Sequence, residues 1–230
     1  MTVSVSGGME QKRVQKKIGL FGGTFNPIHL GHLRGAEEIR EAFGLEKVIF
    51  IPAALPPHKM TEEIIDGRHR LEMVERATRG NSRFSTSDVE LKRPGKSYSI
   101  DTIRYFREKV KGSLYFILGR DAFVEIETWK DFQHLFSLCN FIIMTRPGLI
   151  QAPPLPGALV PAFRFDQGAS GWVHVSGNMV FFKEIKLLDI SSTRVRELVE
   201  KRESIKYLVP SEVEAYIEKH GLYRRGQAYG

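Results

Sequence analysis

Two histidines and a glycine pair lie close together near the start of the chain, in the segment from Gly22 to His32. Glycine lets a backbone approach phosphate oxygens closely, and the free N–H groups at the start of a helix attract anions. His29 and His32, three residues apart, share one face if the residues around them are helical. These residue types in this order are typical of a site that holds a polyphosphate.

The residues on either side of this segment predict a strand and a helix. Lys17 to Phe21 is a short, mostly apolar run that indicates a strand. On the other side, apolar residues recur at helical spacing until Gly44: Leu30, Leu33, Ala36, Ile39 and Phe43. We therefore expect the glycines in the turn between the two elements, where the start of the helix carries a partial positive charge of about half a unit.

Three other interpretations of the segment are open. The histidine pair could bind zinc, although no third ligand follows at metal-site spacing and the only cysteine is Cys139. The glycines could begin a dinucleotide-binding motif, but they do not fit G-x-G-x-x-G and no acidic residue ends the next strand at Ile51 and Pro52. A strand-to-helix turn that needs glycine only for its backbone shape is the strongest alternative.

A second segment, Ile190 to Arg196, places three hydroxyl groups before another predicted helix. Ser191 or Ser192 can serve as its N-cap, and Thr193 adds a hydroxyl that capping alone does not require. Arg196 places a cation in the first turn, where it opposes the helix dipole. Plain capping explains the serines, whereas a bound anion would relieve the conflict at Arg196.

The rest of the chain predicts the fold class. Strands and helices alternate, which indicates an α/β fold with a doubly wound, Rossmann-like parallel sheet. Strands are predicted over four apolar runs, at 48–51, 84–91, 114–118 and 141–144. Asp66 and Ser99 are predicted to cap two intervening helices. Prolines and glycines between Pro147 and Gly177 predict a long loop, which leads into a strand at 180–188.

Composition limits the possible classes of function. The chain has 230 residues, 42% of them hydrophobic, and a net charge of +7, which fits one buried domain and anionic substrates. Its cations are spread along the sequence without a basic run among aromatics, so no nucleic-acid surface is expected. One cysteine, no membrane-spanning apolar stretch and no signal-peptide core favour a cytoplasmic protein without a membrane partner. Residues 1–16 are predicted to be a flexible extension, 17–223 the domain and 224–230 a tail.

The two segments together resemble the nucleotidylyltransferase superfamily related to class I tRNA synthetases, through His29-x-Gly31-His32 and Ile190 to Arg196. Within it, the chain resembles the bacterial nicotinate-nucleotide adenylyltransferases. Further motifs carry that resemblance in family order: Pro56-Pro57-His58-Lys59, Glu90-Leu91-Lys92-Arg93, Ser97 to Thr102, Gly119-x-Asp121 with Trp129, Tyr207 to Pro210, and His220 to Tyr223. Ser99 departs from the threonine that is more common there, and 148–178 matches no family segment.

The resemblance implies adenylyl transfer from ATP to nicotinate mononucleotide in NAD biosynthesis, by a Rossmann-like domain with a small C-terminal helical segment. It implies catalytic roles for His29 and His32 at the α-phosphate, and for Arg196 at the departing phosphates. Magnesium is expected with ATP, held by phosphate and water, and no protein ligand to a metal is predicted.

The resemblance also implies two sets of binding residues. Those for ATP and its phosphates are Gly22, Gly23, Thr24, Phe25, Gly119, Asp121, Ser191, Ser192 and Thr193. Those for nicotinate mononucleotide are His58, Lys59, Tyr98, Ser99 and Trp129. Trp129 would stack on the pyridine ring, although its neighbours equally fit a core position. Asp121 would bind a ribose or start a helix, and His58 and Lys59 would meet a phosphate or form a solvated loop.

Other functions remain open at this point. Nicotinamide mononucleotide or phosphopantetheine could be the acceptor of the same transfer. A nucleotide-binding regulator without catalysis would keep the glycines but alter the histidines, and His29 and His32 are both present. The sequence predicts no oligomeric state.

Overall fold

The computed structural model describes residues 16–54, 64–146, 155–186 and 188–224. These residues form eight strands: β1 (Lys17–Gly23), β2 (Lys47–Pro52), β3 (Phe84–Thr86), β4 (Ser113–Gly119), β5 (Asn140–Thr145), β6 (Phe163–Asp166), β7 (Gly171–His174) and β8 (Met179–Glu184). They also form seven α-helices: α1 (Leu30–Phe43), α2 (Gly67–Thr78), α3 (Ser99–Lys109), α4 (Arg120–Val124), α5 (Phe132–Leu138), α6 (Ser192–Glu200) and α7 (Ser211–His220).

The strands form one sheet in the order β3-β2-β1-β4-β5-β8-β7-β6. Neighbours from β3 to β8 in that order run parallel, whereas β7 is antiparallel to both β8 and β6. The chain leaves β1 for β2 and returns to β4 on the other side of β1, so the winding reverses there. Such a reversal leaves a crevice at the carboxyl ends of the two strands, where ligands bind. The predicted doubly wound sheet is confirmed, with an antiparallel edge.

Apolar side chains pack on both faces of this sheet. Leu20 of β1 and Ile117 of β4 are completely buried. One group of buried residues joins the sheet to α1, α2, α6 and α7, and a second group joins it to α3 and α5. Because helices cover both faces, the central strands are nearly continuous apolar runs, which is why sequence alone located them.

The glycine pair belongs to β1, not to the turn in which it was predicted. Gly22 and Gly23 continue the parallel pairing of β1 with β2. A Cβ atom at Gly23 would lie only 2.9 Å from the ring of Phe25, which folds back against the end of the strand. Glycine is therefore needed for close packing at the strand end, and the turn itself runs from Thr24 to His29.

The two predicted helix caps have different outcomes. The carboxylate of Asp66 accepts the backbone N–H of Arg68 at 2.7 Å, which confirms Asp66 as the N-cap of α2. The prediction for Ser99 was wrong, because Ser99 is already the first residue of α3 and Tyr98, with extended backbone angles, precedes the helix. The side chain of Tyr98 faces a cavity described below.

The strand predicted over 84–91 is shorter than expected. It ends at Thr86, after which the N–H of Ser87 donates to the carbonyl of Phe50 at 2.9 Å. The chain then turns instead of continuing along β2, and the turn buries Glu90. Pairing with a neighbouring strand, which is not a local property of the sequence, decides where this strand ends.

The predicted long loop was wrong over part of its length. Of the stretch from 147 to 177, the described part contains the antiparallel strands β6 and β7. Between them, a carboxylate oxygen of Asp166 accepts the N–H of Ala169 at 2.9 Å and closes the turn. The following strand, predicted at 180–188, ends at Glu184.

Lys16, which was assigned to the flexible extension, pairs with the folded domain. Its carbonyl accepts the N–H of Ser113 at 2.8 Å, and its Nζ lies 2.9 Å from a carboxylate oxygen of Glu46. The remainder of the extension and residues 225–230 lie outside the described residues. Across the described ranges, no helix has the length and apolar character that spanning a membrane requires.

Candidate active site

His29 and His32 stack on each other at the start of α1. Their ring centroids are 3.6 Å apart, with an angle of 27° between the planes. The backbone N–H of His29, the N-cap residue, donates to Nδ1 of His32 at 3.3 Å. Because Nδ1 accepts, the proton of a neutral His32 ring is on Nε2, which makes Nε2 a hydrogen-bond donor.

Burial controls the charge of the first histidine. His29 is 6% exposed, and burial lowers its pKa to about 4, so the ring is neutral at neutral pH. Its buried Nδ1 atom makes no hydrogen bond within the described part of the chain. The rings of Phe21 and Phe25 lie edge-on to His32, with centroids 6.2 Å and 5.2 Å away. The pair is therefore closely packed, and His29 can act as a neutral donor or acceptor.

The start of α6 packs against the turn that carries the histidines. The hydroxyl of Ser192 donates to the carbonyl of Pro27 at 2.8 Å, and Nη1 of Arg196 donates to the carbonyl of Asn26 at 3.0 Å. Ser191 is the N-cap of α6, since its hydroxyl accepts the N–H of Arg194 at 3.1 Å. The two segments singled out in the sequence thus meet in space.

The C-terminal part of the domain supports the same turn. The buried hydroxyl of Tyr223 donates to the side-chain oxygen of Asn26 at 3.0 Å. The N–H of Leu30, the first residue of α1, donates to the carbonyl of Leu208 at 2.9 Å. Tyr223 lies in a motif of the family resemblance, but no feature of the sequence placed it at the site.

A cavity of about 330 Å³ opens at the carboxyl ends of β1, β2 and β4. It is lined by seven of the predicted residues: Gly22, Gly23, Thr24, Tyr98, Ser99, Gly119 and Trp129. Trp129 is only half-buried and lies edge-on to Phe116, with ring centroids 6.3 Å apart. Trp129 therefore packs against the edge of the core and also lines the cavity.

Several predicted residues lie outside the lining of this cavity. The side chain of Phe25 is buried, and Asp121 is exposed in the first turn of α4, beside Gly119. Ser191, Ser192 and Thr193 are at the start of α6 instead. His58 and Lys59 lie outside the described residues.

Arg70 of α2 has a structural role at the site that the sequence analysis missed. It is 1% exposed, and its guanidinium donates to four backbone carbonyls: Ile65 at 3.0 Å, Thr24 at 2.8 Å, Ala53 at 2.6 Å and Ala54 at 3.1 Å. Thr24 and Ala53 line the cavity, so Arg70 fixes two of its walls. A signal was present, because Arg70 shares the apolar face of its helix with Met73 and Val74.

Glu90 is a second buried residue without a predicted role. It lines the cavity, and its carboxylate accepts the hydroxyl of Thr102 at 2.7 Å. Burial raises the pKa of this carboxyl group. The hydroxyl oxygen of Ser97, another lining residue, accepts the N–H of Ala54 at 2.8 Å. The bond of Glu90 attaches the turn after β3 to α3, and the bond of Ser97 attaches the loop before α3 to the end of β2.

Within the described ranges, no group of three or more His, Cys, Asp or Glu side chains is placed to hold a metal ion. Cys139 is buried, and burial raises the pKa of its thiol. The stacked histidines present ring nitrogens at the start of α1, and hydroxyl groups lie at the start of α6, which packs against the same turn. Such donors suit the oxygens of a phosphate chain.

Known proteins are similar to this chain over most of its length. The model of a family described as cytidylyltransferase-like matches residues 20–198. A probable nicotinate-nucleotide adenylyltransferase of Syntrophotalea carbinolica is 46% identical over 212 residues, covering 90% of this chain and 97% of the relative. The protein of the same name from Geobacter sulfurreducens is 44% identical over 211 residues, covering 90% and 98%.

A solved structure shares the fold. The Plasmodium falciparum nicotinic acid mononucleotide adenylyltransferase complexed with NaAD superposes with a TM-score of 0.68 at 20% identity, covering 90% of this chain and 97% of that one.

Proposed function

This chain belongs to the cytidylyltransferase-like family and, within it, to the nicotinate-nucleotide adenylyltransferases, and we propose on that basis how its residues share the reaction. A phosphate oxygen of nicotinate mononucleotide forms a bond to the α-phosphorus of ATP. The bond from that phosphorus to the oxygen bridging to the β-phosphate breaks. Nicotinate adenine dinucleotide forms, and pyrophosphate leaves with the electron pair of the broken bond.

The observation that carries our assignment is the histidine stack at the start of α1, next to a cavity lined by Tyr98 and Trp129. The attacking phosphate is already ionised, so catalysis consists of positioning and of stabilising charge on the phosphoryl oxygens. We assign the Nε2–H of His32 to the α-phosphate and the bridging oxygen. His29, kept neutral by burial, completes the donor set without adding a fixed charge.

The start of α6 is assigned to the departing phosphates. The hydroxyl groups of Ser191 and Thr193 and the N–H groups of the helix start provide donors there. The hydroxyl of Ser192, which donates to the carbonyl of Pro27, holds this helix start against the histidine-bearing turn. Arg196 bridges this helix to the histidine-bearing turn through the carbonyl of Asn26, which brings its charge to the side of the turn. The pyrophosphate that leaves would carry its negative charge toward this cation.

The cavity is assigned to nicotinate mononucleotide. Trp129 and Tyr98 provide flat faces for the pyridine ring, and Ser99 lies at the start of α3 beside them. Backbone groups of Gly22 to Thr24 border the same cavity and would receive the mononucleotide phosphate. Asp121, exposed beside Gly119, is assigned to a ribose hydroxyl.

Magnesium is proposed to enter with ATP. The donors of this site are imidazoles, hydroxyls and backbone N–H groups, which bind some phosphate oxygens and leave others for the ion and its water. When bound, the ion neutralises charge on the triphosphate and on the pyrophosphate that leaves.

A substrate comparison tests the proposed function. The protein, with ATP and magnesium, is given nicotinate mononucleotide, nicotinamide mononucleotide or phosphopantetheine, and pyrophosphate release and product mass are measured. We expect clear preference for nicotinate mononucleotide and a product with the mass of nicotinate adenine dinucleotide. Preference for either other acceptor would overturn the substrate assignment but not the adenylyl transfer, and no release with any acceptor would overturn both.

A further inference from the structure

The cavity assigned to nicotinate mononucleotide contains one cationic side chain among the described residues that line it. That residue is Lys130, which directly follows Trp129. The same lining includes two acidic residues, Glu90 and Glu125. A carboxylate that enters this cavity therefore meets negative charge on part of the wall, and Lys130 is the lining residue that can compensate it.

Two weak contacts hold the ammonium group of Lys130 beside the ring of Tyr98. Its Nζ atom lies 4.7 Å from the centroid of the Tyr98 ring and 3.7 Å from a carboxylate oxygen of Asp101. The lysine side chain is 47% exposed, so solvent screens this ion pair. The carboxylate of Asp101 is also shared, since Arg93 and Arg104 approach it to 3.9 Å and 3.8 Å. Lys130 can therefore change partner without leaving Asp101 uncompensated.

Resting on the proposed function, we infer that Lys130 is a specificity residue, whose ammonium group pairs with the carboxylate of nicotinate mononucleotide. The acid and amide forms of the mononucleotide have nearly the same shape, and the pyridine substituent differs in charge. Stacking on Trp129 and Tyr98 does not distinguish them, because both rings are flat and of equal size. A cation beside the stacked ring does, since it attracts the carboxylate more strongly than the neutral amide.

The test compares Lys130→Met, which removes the charge, with Lys130→Arg, which keeps it. Lys109→Met is the matched control: its Nζ also lies over a tyrosine ring, that of Tyr105 at 5.9 Å, but neither residue lines the cavity. For each protein, kcat/KM is measured with nicotinate mononucleotide and with nicotinamide mononucleotide at low and high salt. Thermal unfolding checks that each variant is folded.

For Lys130→Met we expect kcat/KM with nicotinate mononucleotide to fall about tenfold, as for loss of one hydrogen bond to a charged group. The value with nicotinamide mononucleotide should change less than about twofold, because the amide carries no charge to attract. Lys130→Arg should keep most of the preference, and Lys109→Met should match the wild type. Added salt should reduce the preference of the wild type more than that of Lys130→Met.

Equal losses with both mononucleotides would overturn the inference and make Lys130 a support for the Tyr98 ring. An unchanged ratio of kcat/KM for the two mononucleotides in Lys130→Met would also overturn the inference, and would show that other groups recognise the carboxylate. In both cases the proposed function stands, because the wild type still converts nicotinate mononucleotide. A wild type that does not convert this substrate would overturn the proposed function and the inference together.

Discussion

The proposed phosphate end and the proposed pyridine end of the candidate active site are held by different kinds of contact. The histidine turn comprises residues 24–32, which are the turn after β1 and the first residues of α1. At the phosphate end, buried or partly buried side chains donate to backbone carbonyls of this turn: Arg70 to Thr24, Ser192 to Pro27 and Arg196 to Asn26. At the pyridine end, the exposed side chain of Lys130 lies over Tyr98 and shares the half-buried carboxylate of Asp101 with two arginines.

This difference separates the chemistry from the recognition. A buried bond to a carbonyl is costly to break, because the group left behind loses its partner away from water. Catalysis of phosphoryl transfer needs such fixed geometry. An exposed ion pair is worth little and can be exchanged for a substrate group. We therefore expect damage at the phosphate end to lower turnover or stability, and damage at the pyridine end to change which substrate is preferred.

The largest effect is expected for His32→Ala. Loss of one fixed donor to the phosphoryl group should lower kcat by about a hundredfold or more, since preorganised donors stabilise the transition state. Steady-state pyrophosphate release measures it, and circular dichroism checks the fold. His134→Ala, an exposed histidine of α5, is the control and should turn over normally. A folded His32→Ala protein with near wild-type kcat would contradict the proposed role of the histidine turn in the chemistry.

A smaller effect on activity, with a clear effect on stability, is expected for Arg70→Met. The change leaves the carbonyls of Thr24 and Ala53 without their donor, so the free energy of unfolding should fall by about 2 kcal/mol or more. The KM for nicotinate mononucleotide should rise about tenfold as the cavity wall loosens. Urea unfolding and initial rates measure the two effects.

Arg68→Met provides the control on the same helix. Its side chain is 90% exposed and pairs only with Asp66 among the ion pairs of the described residues, so we expect little change in the free energy of unfolding. Similar unfolding midpoints for the two variants would show that buried bonds to carbonyls are not what distinguishes the phosphate end.

The smallest effect is expected from pH. Burial lowers the pKa of His29 from 6.5 to about 4, so the unfolded chain takes up a proton more readily than the folded protein. This contribution to stability is complete above pH 6.5 and is lost as the pH falls toward 4. Lowering the pH from 7 to 5.5 should therefore reduce the free energy of unfolding by about 1 kcal/mol. Urea unfolding of the wild type and of His29→Gln at each pH isolates the contribution of His29. Burial also lowers the pKa of His174, but His174 is present in both proteins. Parallel pH profiles would contradict the assignment.

What the sequence predicted well is local. The start and end of α1 are marked by residues within one turn, and Gly44 indeed ends the helix in the left-handed conformation, with φ of 60°. The cavity residues Tyr98 and Trp129 came from short motifs of the resemblance. The features that the sequence analysis missed depend on distant partners. Arg70 binds backbone carbonyls, and because every residue type has a carbonyl, no pattern of side chains shows which ones Arg70 binds.

The errors in strand prediction have a similar cause. Gly22 and Gly23 were placed in a turn because glycine favours turns, yet pairing with β2 keeps them in the strand. The pair β6 and β7 was missed because nearby prolines suggested a loop, while its turn is closed by one side chain, that of Asp166.

The bond between Tyr223 and Asn26 joins two residues that are 197 positions apart in the chain. During synthesis the histidine turn is made long before the tyrosine that supports it. At roughly 5 to 20 residues per second, about 10 to 40 s separate synthesis of the turn from synthesis of Tyr223. A nascent chain therefore carries both histidines for that time without the hydrogen bond from Tyr223 to their turn.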